Sequence, residues 1–122
     1  MAGGYKEHTQ YYPQPGWVEH DPMEIWGSIL ETIDSAAKEA GIQVADLTCM
    51  GLDNQGETVM LWDRFTGVPV YNAIVWQDRR TAKMADEIAE QYGDMIREKT
   101  GLVVDAYFSA TKIRWIMDHV DG

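Results

Sequence analysis

The sequence predicts a mixed α/β domain in which helices cover a sheet. Apolar residues recur at helical spacing over 22–40, 79–93 and 109–120. Between these stretches lie short apolar runs of strand length, LTCMGL and AIVW. Turn signals separate the two kinds of segment, among them PQPG, DNQGET and RFTG. Long helices set between short strands make a mixed sheet flanked by helices the default architecture.

Residues 6–12 can form a short strand, after which Pro13 and Pro15 exclude regular structure. Asp21-Pro22-Met23-Glu24 is a strong helix start: Asp21 caps, Pro22 suits the first helical position, and Glu24 has the capping-box spacing. Trp26, Leu30, Ile33, Ala37 and Ala40 form the apolar stripe, Ile25 and Ile29 widen it, and Gly41 closes the helix. Residues 47–52 read as a buried strand, with Cys49 as a buried thiol inside it. DNQGET (53–58) follows, then a strand over 59–62, a hairpin turn at 64–67 and returning strands within 69–78. Asp78 is placed to cap a further helix whose face is Met84, Ile88 and Tyr92 and whose end is Gly93. A short helix over 94–99 stops at Gly101, and a last helix runs over 109–120 with Ile113, Ile116, Met117 and Val120 inward. The strand at 47–52 lacks an obvious neighbour on one side, as though the sheet were cut on its N-terminal side. Open edges recruit partners, so pairing with another copy, a homo-oligomer, or membership of a larger molecule is expected.

Composition narrows the function. At 122 residues the chain bounds at one domain, and 45% apolar with 25% charged residues is globular usage. A formal charge of −10 argues against nucleic acid, which needs clustered cations, and against an anionic membrane surface. No apolar stretch approaches the ~20 residues of a membrane helix, and the chain opens on no signal peptide. One cysteine excludes an internal disulfide and a Cys-based zinc site, which fits a reducing, cytoplasmic setting. His8, His20 and His119 stand at no metal-ligand spacing and read as surface residues, so no metal is expected. The chain has neither a Walker phosphate loop nor a nucleophile elbow around Ser28, Ser35 or Ser109, so taken alone it could bind a small polyhydroxy compound but not hold a nucleotide.

Three places carry chemistry. In DNQGET, Asn54, Gln55 and Glu57 put amides and a carboxylate at the end of a strand, where α/β sheets bind ligands. A carboxylate accepts from two hydroxyls and an amide both gives and accepts, which suits a polyhydroxy compound. A plain polar turn, with Gly56 at positive φ, is the competing reading. Trp76 ends an apolar run beside Gln77, Asp78, Arg79 and Arg80, and either offers an aromatic face to a polyol or sits in the core. Arg79 or Arg80 needs a structural or ligand partner, because cations are disfavoured at a helix N-terminus. Tyr107 precedes the last helix with a hydroxyl free for a ligand or a carbonyl.

Three stretches in order, YYPQPGWVEHDPMEIW, DNQGETVMLWDRFTGVPVYNAIVWQDRRTA and KTGLVVDAYFSATKIRWIMDHV, resemble the N-terminal domain of glycerol kinases, within the FGGY carbohydrate kinase family. The resemblance runs from about residue 11 to the end. It implies an actin/hexokinase-type, ribonuclease-H-like α/β domain, present in part: residues 1–122 as polyol-binding domain, without the first β-hairpin and the ATP-binding domain. It implies a parent enzyme that phosphorylates a polyol's terminal hydroxyl with ATP and Mg2+, both bound mainly outside this chain. Glu57 matches the glutamate that binds the glycerol hydroxyls, Trp76 the tryptophan against the carbon backbone, and Tyr107 the tyrosine that completes the pocket. Gln55 and Gly56 belong to the same motif, with Gly56 standing where glycerol kinases typically carry arginine. That departure opens another polyol or sugar, erythritol or xylulose, as substrate. A binding module without catalysis is the alternative from another class, and the chain by itself is expected to be inactive.

Overall fold

Helix α1 (Pro22–Ala40) starts where its sequence says it should. Asp21 Oδ1 accepts from the backbone N–H of Met23 at 2.8 Å and of Glu24 at 3.4 Å, and Pro22 fills the first turn. Gly41 ends it in the left-handed conformation, φ 70°, with its N–H turned back on the carbonyls of the last turn. This computed structural model describes residues 1–121.

Strand β1 (Glu19–His20) pairs antiparallel with β2 (Ala73–Ile74), Glu19 opposite Ile74 and His20 opposite Ala73. Single bridges widen this small sheet on both sides, Tyr11 to Glu19 and Val59 to Ile74. Val59 and Ile74 exchange both backbone hydrogen bonds, at 2.9 and 2.8 Å. A 3-10 turn, Val44–Asp46, follows α1. Helix α2 (Ala82–Thr100) and helix α3 (Ser109–His119) complete the order. Ile116 of α3 packs on Val59 and Ile74 to make the core, with Leu61, Tyr71, Trp115 and Val120 around them. That docking brings the start of α3 against the 57–59 segment.

Several expectations are corrected. Residues 47–52 form no strand: they are exposed, and no described neighbour supplies a ladder. A strand is made by its partner, so an apolar run alone does not become one. Cys49 is therefore exposed, not buried. Gly93 ends nothing, because α2 runs through it; an interior glycine costs a helix only about 1 kcal/mol. The separate helix over 94–99 is the second half of α2, and its stop at Gly101 (φ 75°) holds. Asp78 is not the cap of α2, a place taken by Thr81. Its carboxylate is instead buried and engaged by Val18 and Arg80. On α3 the inward residues are Thr111, Lys112 and Ile116, while Ile113 and Met117 face out. Much of the α1 stripe, Trp26, Leu30 and Ala40 included, lies exposed. His20 is buried, with His8 edge-on at 4.4 Å between ring centroids.

Candidate functional site

Glu57 is the one non-glycine residue with positive φ, 60°, among the described residues. Left-handed backbone at such a residue costs ~1–3 kcal/mol and persists only where its surroundings hold it. Helix α3 supplies the hold. Lys112 Nζ donates to the Glu57 carbonyl at 2.8 Å and to the Tyr107 carbonyl at 2.5 Å. Ser109, one turn earlier on the same helix, donates its hydroxyl to Glu57 Oε2 at 2.6 Å. Lys112 is wholly buried, and burial lowers its pKa below the usual lysine value, against the opposing pull of Glu57, Asp78 and Asp105.

The turn before α3 is set in the same way. Asp105 Oδ1 accepts from the Tyr107 N–H at 2.7 Å and from Arg79 Nη1 at 2.8 Å. Arg79 lies three positions beyond Trp76, so the two aromatic residues share one anchored surface. Their ring centroids are 6.0 Å apart, edge to face. Trp76 is 39% exposed and Tyr107 40%, so both offer ring surface to solvent. The Trp76 N–H donates to Thr58 Oγ1 at 3.3 Å, and that hydroxyl donates to Gln55 Oε1 at 2.7 Å.

Glu57, Trp76 and Tyr107, from three separate segments, thus converge around the start of α3. Gln55 joins them through Thr58 and also lines a groove of about 390 Å3 against Ile25, Trp26 and Ile29 of α1. Gly56 is exposed, its φ lies outside the left-handed region, and a Cβ there would meet no atom within 4 Å. The positive φ expected at Gly56 belongs to Glu57, because Lys112 pulls on the Glu57 carbonyl. Lys112, Ser109 and Asp105 escaped the sequence reading. Lys112 had left a trace: a cation three and four positions before Trp115 and Ile116, on the inward face of α3. No group of three or more His, Cys, Asp or Glu side chains gathers as a metal site among the described residues.

A family model described as "FGGY family of carbohydrate kinases, N-terminal domain" matches residues 1–122. The chain belongs to the FGGY carbohydrate kinase family. Relatives include a glycerol kinase of Pediococcus pentosaceus, 56% identical over 100% of this chain and 24% of that protein. A glycerol kinase 2 of Thermotoga maritima is 59% identical over 96% of this chain and 24% of that protein. The chain therefore spans about a quarter of the length of the relatives it matches. Among solved structures, Plasmodium falciparum glycerol kinase with ADP superposes at TM-score 0.87 and 38% identity, over 93% of this chain and 23% of the other. A xylulose kinase from Rhodospirillum rubrum, at 24% identity and TM-score 0.78 over 93% of this chain and 24% of its own, shares the fold. The ribonuclease-H-like, actin/hexokinase-type fold is thus present here in part.

This FGGY chain buries a second cationic side chain, that of Arg80. The Arg80 side chain is fully buried, with Nη2 2.7 Å from Glu19 Oε1 and 2.8 Å from Asp78 Oδ2. Its guanidinium lies 3.9 Å from the ring centre of Trp17 and 4.5 Å from that of Trp115. Desolvation opposes the charge, but the hydrogen bonds Arg80 makes with Asp78, Glu19 and Tyr71, the carboxylates accepting, outweigh it and hold the pKa above the usual arginine value. The partner expected for Arg79 or Arg80 is found for both, Asp105 for the first and this carboxylate pair for the second. No helix among the described residues is long and apolar enough to cross a membrane.

Proposed function

We propose that this chain is part of the N-terminal, polyol-binding domain of a glycerol kinase-like enzyme. The reaction is transfer of the γ-phosphoryl group of ATP to a terminal hydroxyl, turning glycerol into glycerol 3-phosphate. The convergence of Glu57, Trp76 and Tyr107 on one surface carries this reading. Glu57 accepts from the polyol hydroxyls, Trp76 covers the C–H side of the carbon chain, and the Tyr107 hydroxyl closes the pocket. The hydroxyl oxygen attacks the γ-phosphorus, the bond to ADP breaks, and a carboxylate outside this chain takes the proton. This chain's part is to bind and orient, which counts for much where catalysis is mostly positioning.

Mg2+ would neutralise the phosphates, but the described residues gather no metal site, so no step passes through a metal held here. ATP and Mg2+ bind mainly beyond this chain, which has no kinase activity by itself. The parent enzyme is a cytoplasmic homo-oligomer that requires neither nucleic acid nor membrane. A second substrate reading rests on Gly56: the open space there suits a four- or five-carbon polyol or sugar. The test is steady-state phosphorylation by the full-length protein on glycerol, erythritol and xylulose. Saturable turnover of glycerol supports the first reading, and preference for a longer substrate supports the second. Turnover of none of them overturns both.

A further inference from the structure

We infer that Lys112 is the positioning residue of the polyol site, holding Glu57 in its left-handed conformation and locking it to Tyr107. This rests on the proposed function, and the observations are geometric. A wholly buried lysine is rare unless paired, and an apolar side chain would fill the same volume without desolvating a charge. Arg80, the other buried cation, is neutralised directly by Glu19 and Asp78. Lys112 has no carboxylate in hydrogen-bond contact; its bonds go to two backbone carbonyls, those of Glu57 and Tyr107. Those residues come from separate segments, and in the proposed function both bind the polyol. The lysine nitrogen has donors enough to bond both carbonyls from a single atom and so draw them to one point.

The grip extends to the side chain. Lys112 takes the Glu57 carbonyl and Ser109 takes Oε2, so α3 fixes both ends of the residue. Oε1 finds no hydrogen-bond partner among the described residues and is left to accept from a ligand hydroxyl. Without Lys112 the backbone at 57 has no reason to remain at positive φ, and the carboxylate turns away from Trp76 and Tyr107.

The test uses the full-length protein with Lys112→Met and Ser109→Ala. For Lys112→Met the polyol KM should rise about tenfold or more, while kcat and the ATP KM stay within about threefold. A merely structural lysine behaves differently: its loss shrinks the active fraction, lowering apparent kcat with the polyol KM unchanged. Ser109→Ala empties no buried charge, and should raise the polyol KM by about threefold or more. A crystal structure of Lys112→Met should show Glu57 outside the left-handed region. Glu57 unmoved in that structure overturns the inference, as does a wild-type polyol KM in both variants. Should Lys112→Met fail to fold, the KM of Ser109→Ala decides. Should the wild type phosphorylate no polyol, the proposed function falls, and the position of Glu57 in Lys112→Met still decides what Lys112 does.

Discussion

Arg80 and Lys112 both have fully buried cationic side chains, and they are partnered in opposite ways, with Arg80 Nη1 left unbonded among the described residues. Arg80 meets two carboxylates and lies against two indole rings, so its charge is paired where it sits. Lys112 meets two neutral carbonyls, and burial lowers its pKa below the usual lysine value. The first arrangement is one in which removing the cation leaves buried carboxylates unpaired; the second ties a helix to a residue in the left-handed conformation. His20 extends the comparison, being buried with no hydrogen-bond partner for either ring nitrogen among the described residues.

The largest effect is expected from Arg80→Met, which leaves Glu19 and Asp78 as uncompensated buried carboxylates. Loss of one partner from such a cluster costs about 3–5 kcal/mol, measurable by urea unfolding. A loss under about 1 kcal/mol would remove the distinction between the two cations. Lys112→Met should cost less, about 1–3 kcal/mol, because the hydrogen bonds lost are partly offset by the charge no longer buried. If it equals Arg80→Met in stability, Lys112 belongs with the fold rather than with the site.

A pH effect comes next. Burial, and then the neighbouring His8, hold the His20 pKa below 6.5, with Glu24 partly opposing. The unfolded chain therefore takes up this proton first as pH falls. Stability is fully present above pH 6.5 and declines below it, through the window down to the lowered folded value. Thermal melts at neutral and mildly acid pH should show the decline in the wild type and less of it in His20→Leu. Equal slopes in the two proteins would rule out His20 as its source.

Gly56→Arg should be the mildest change for stability, within about 0.5 kcal/mol, since the position is exposed and free of positive φ. Its effect should fall on substrate choice, moving the polyol panel toward glycerol. An unchanged panel would mean that the space at Gly56 does not contribute to selectivity.

The ends of α1 and the end of α2 at Gly101 were legible because capping is local: Asp21, Gly41 and Gly101 act on backbone within a few residues. The family was legible for a similar reason, since long motifs such as DNQGET and VVDAYFSATK are read along the chain. The convergence of Glu57, Trp76 and Tyr107 was an expectation from resemblance, and no spacing rule could have derived it. The strand expected at 47–52 failed because a ladder needs a second strand, which no run of apolar residues can supply alone. Asp78 is not the cap of α2, which starts only after Thr81; its carboxylate accepts locally from Arg80 and, across 60 positions that only the fold brings together, from the Val18 N–H.

The sequence by itself therefore determined the limits of α1, the stop of α2 at Gly101, the family and the residue types that suit a polyol. Only the tertiary structure decided that Glu57, not Gly56, takes the left-handed backbone. The reason is a hydrogen bond between residues 55 positions apart: Lys112 reaches the Glu57 carbonyl only once α3 has docked on the core.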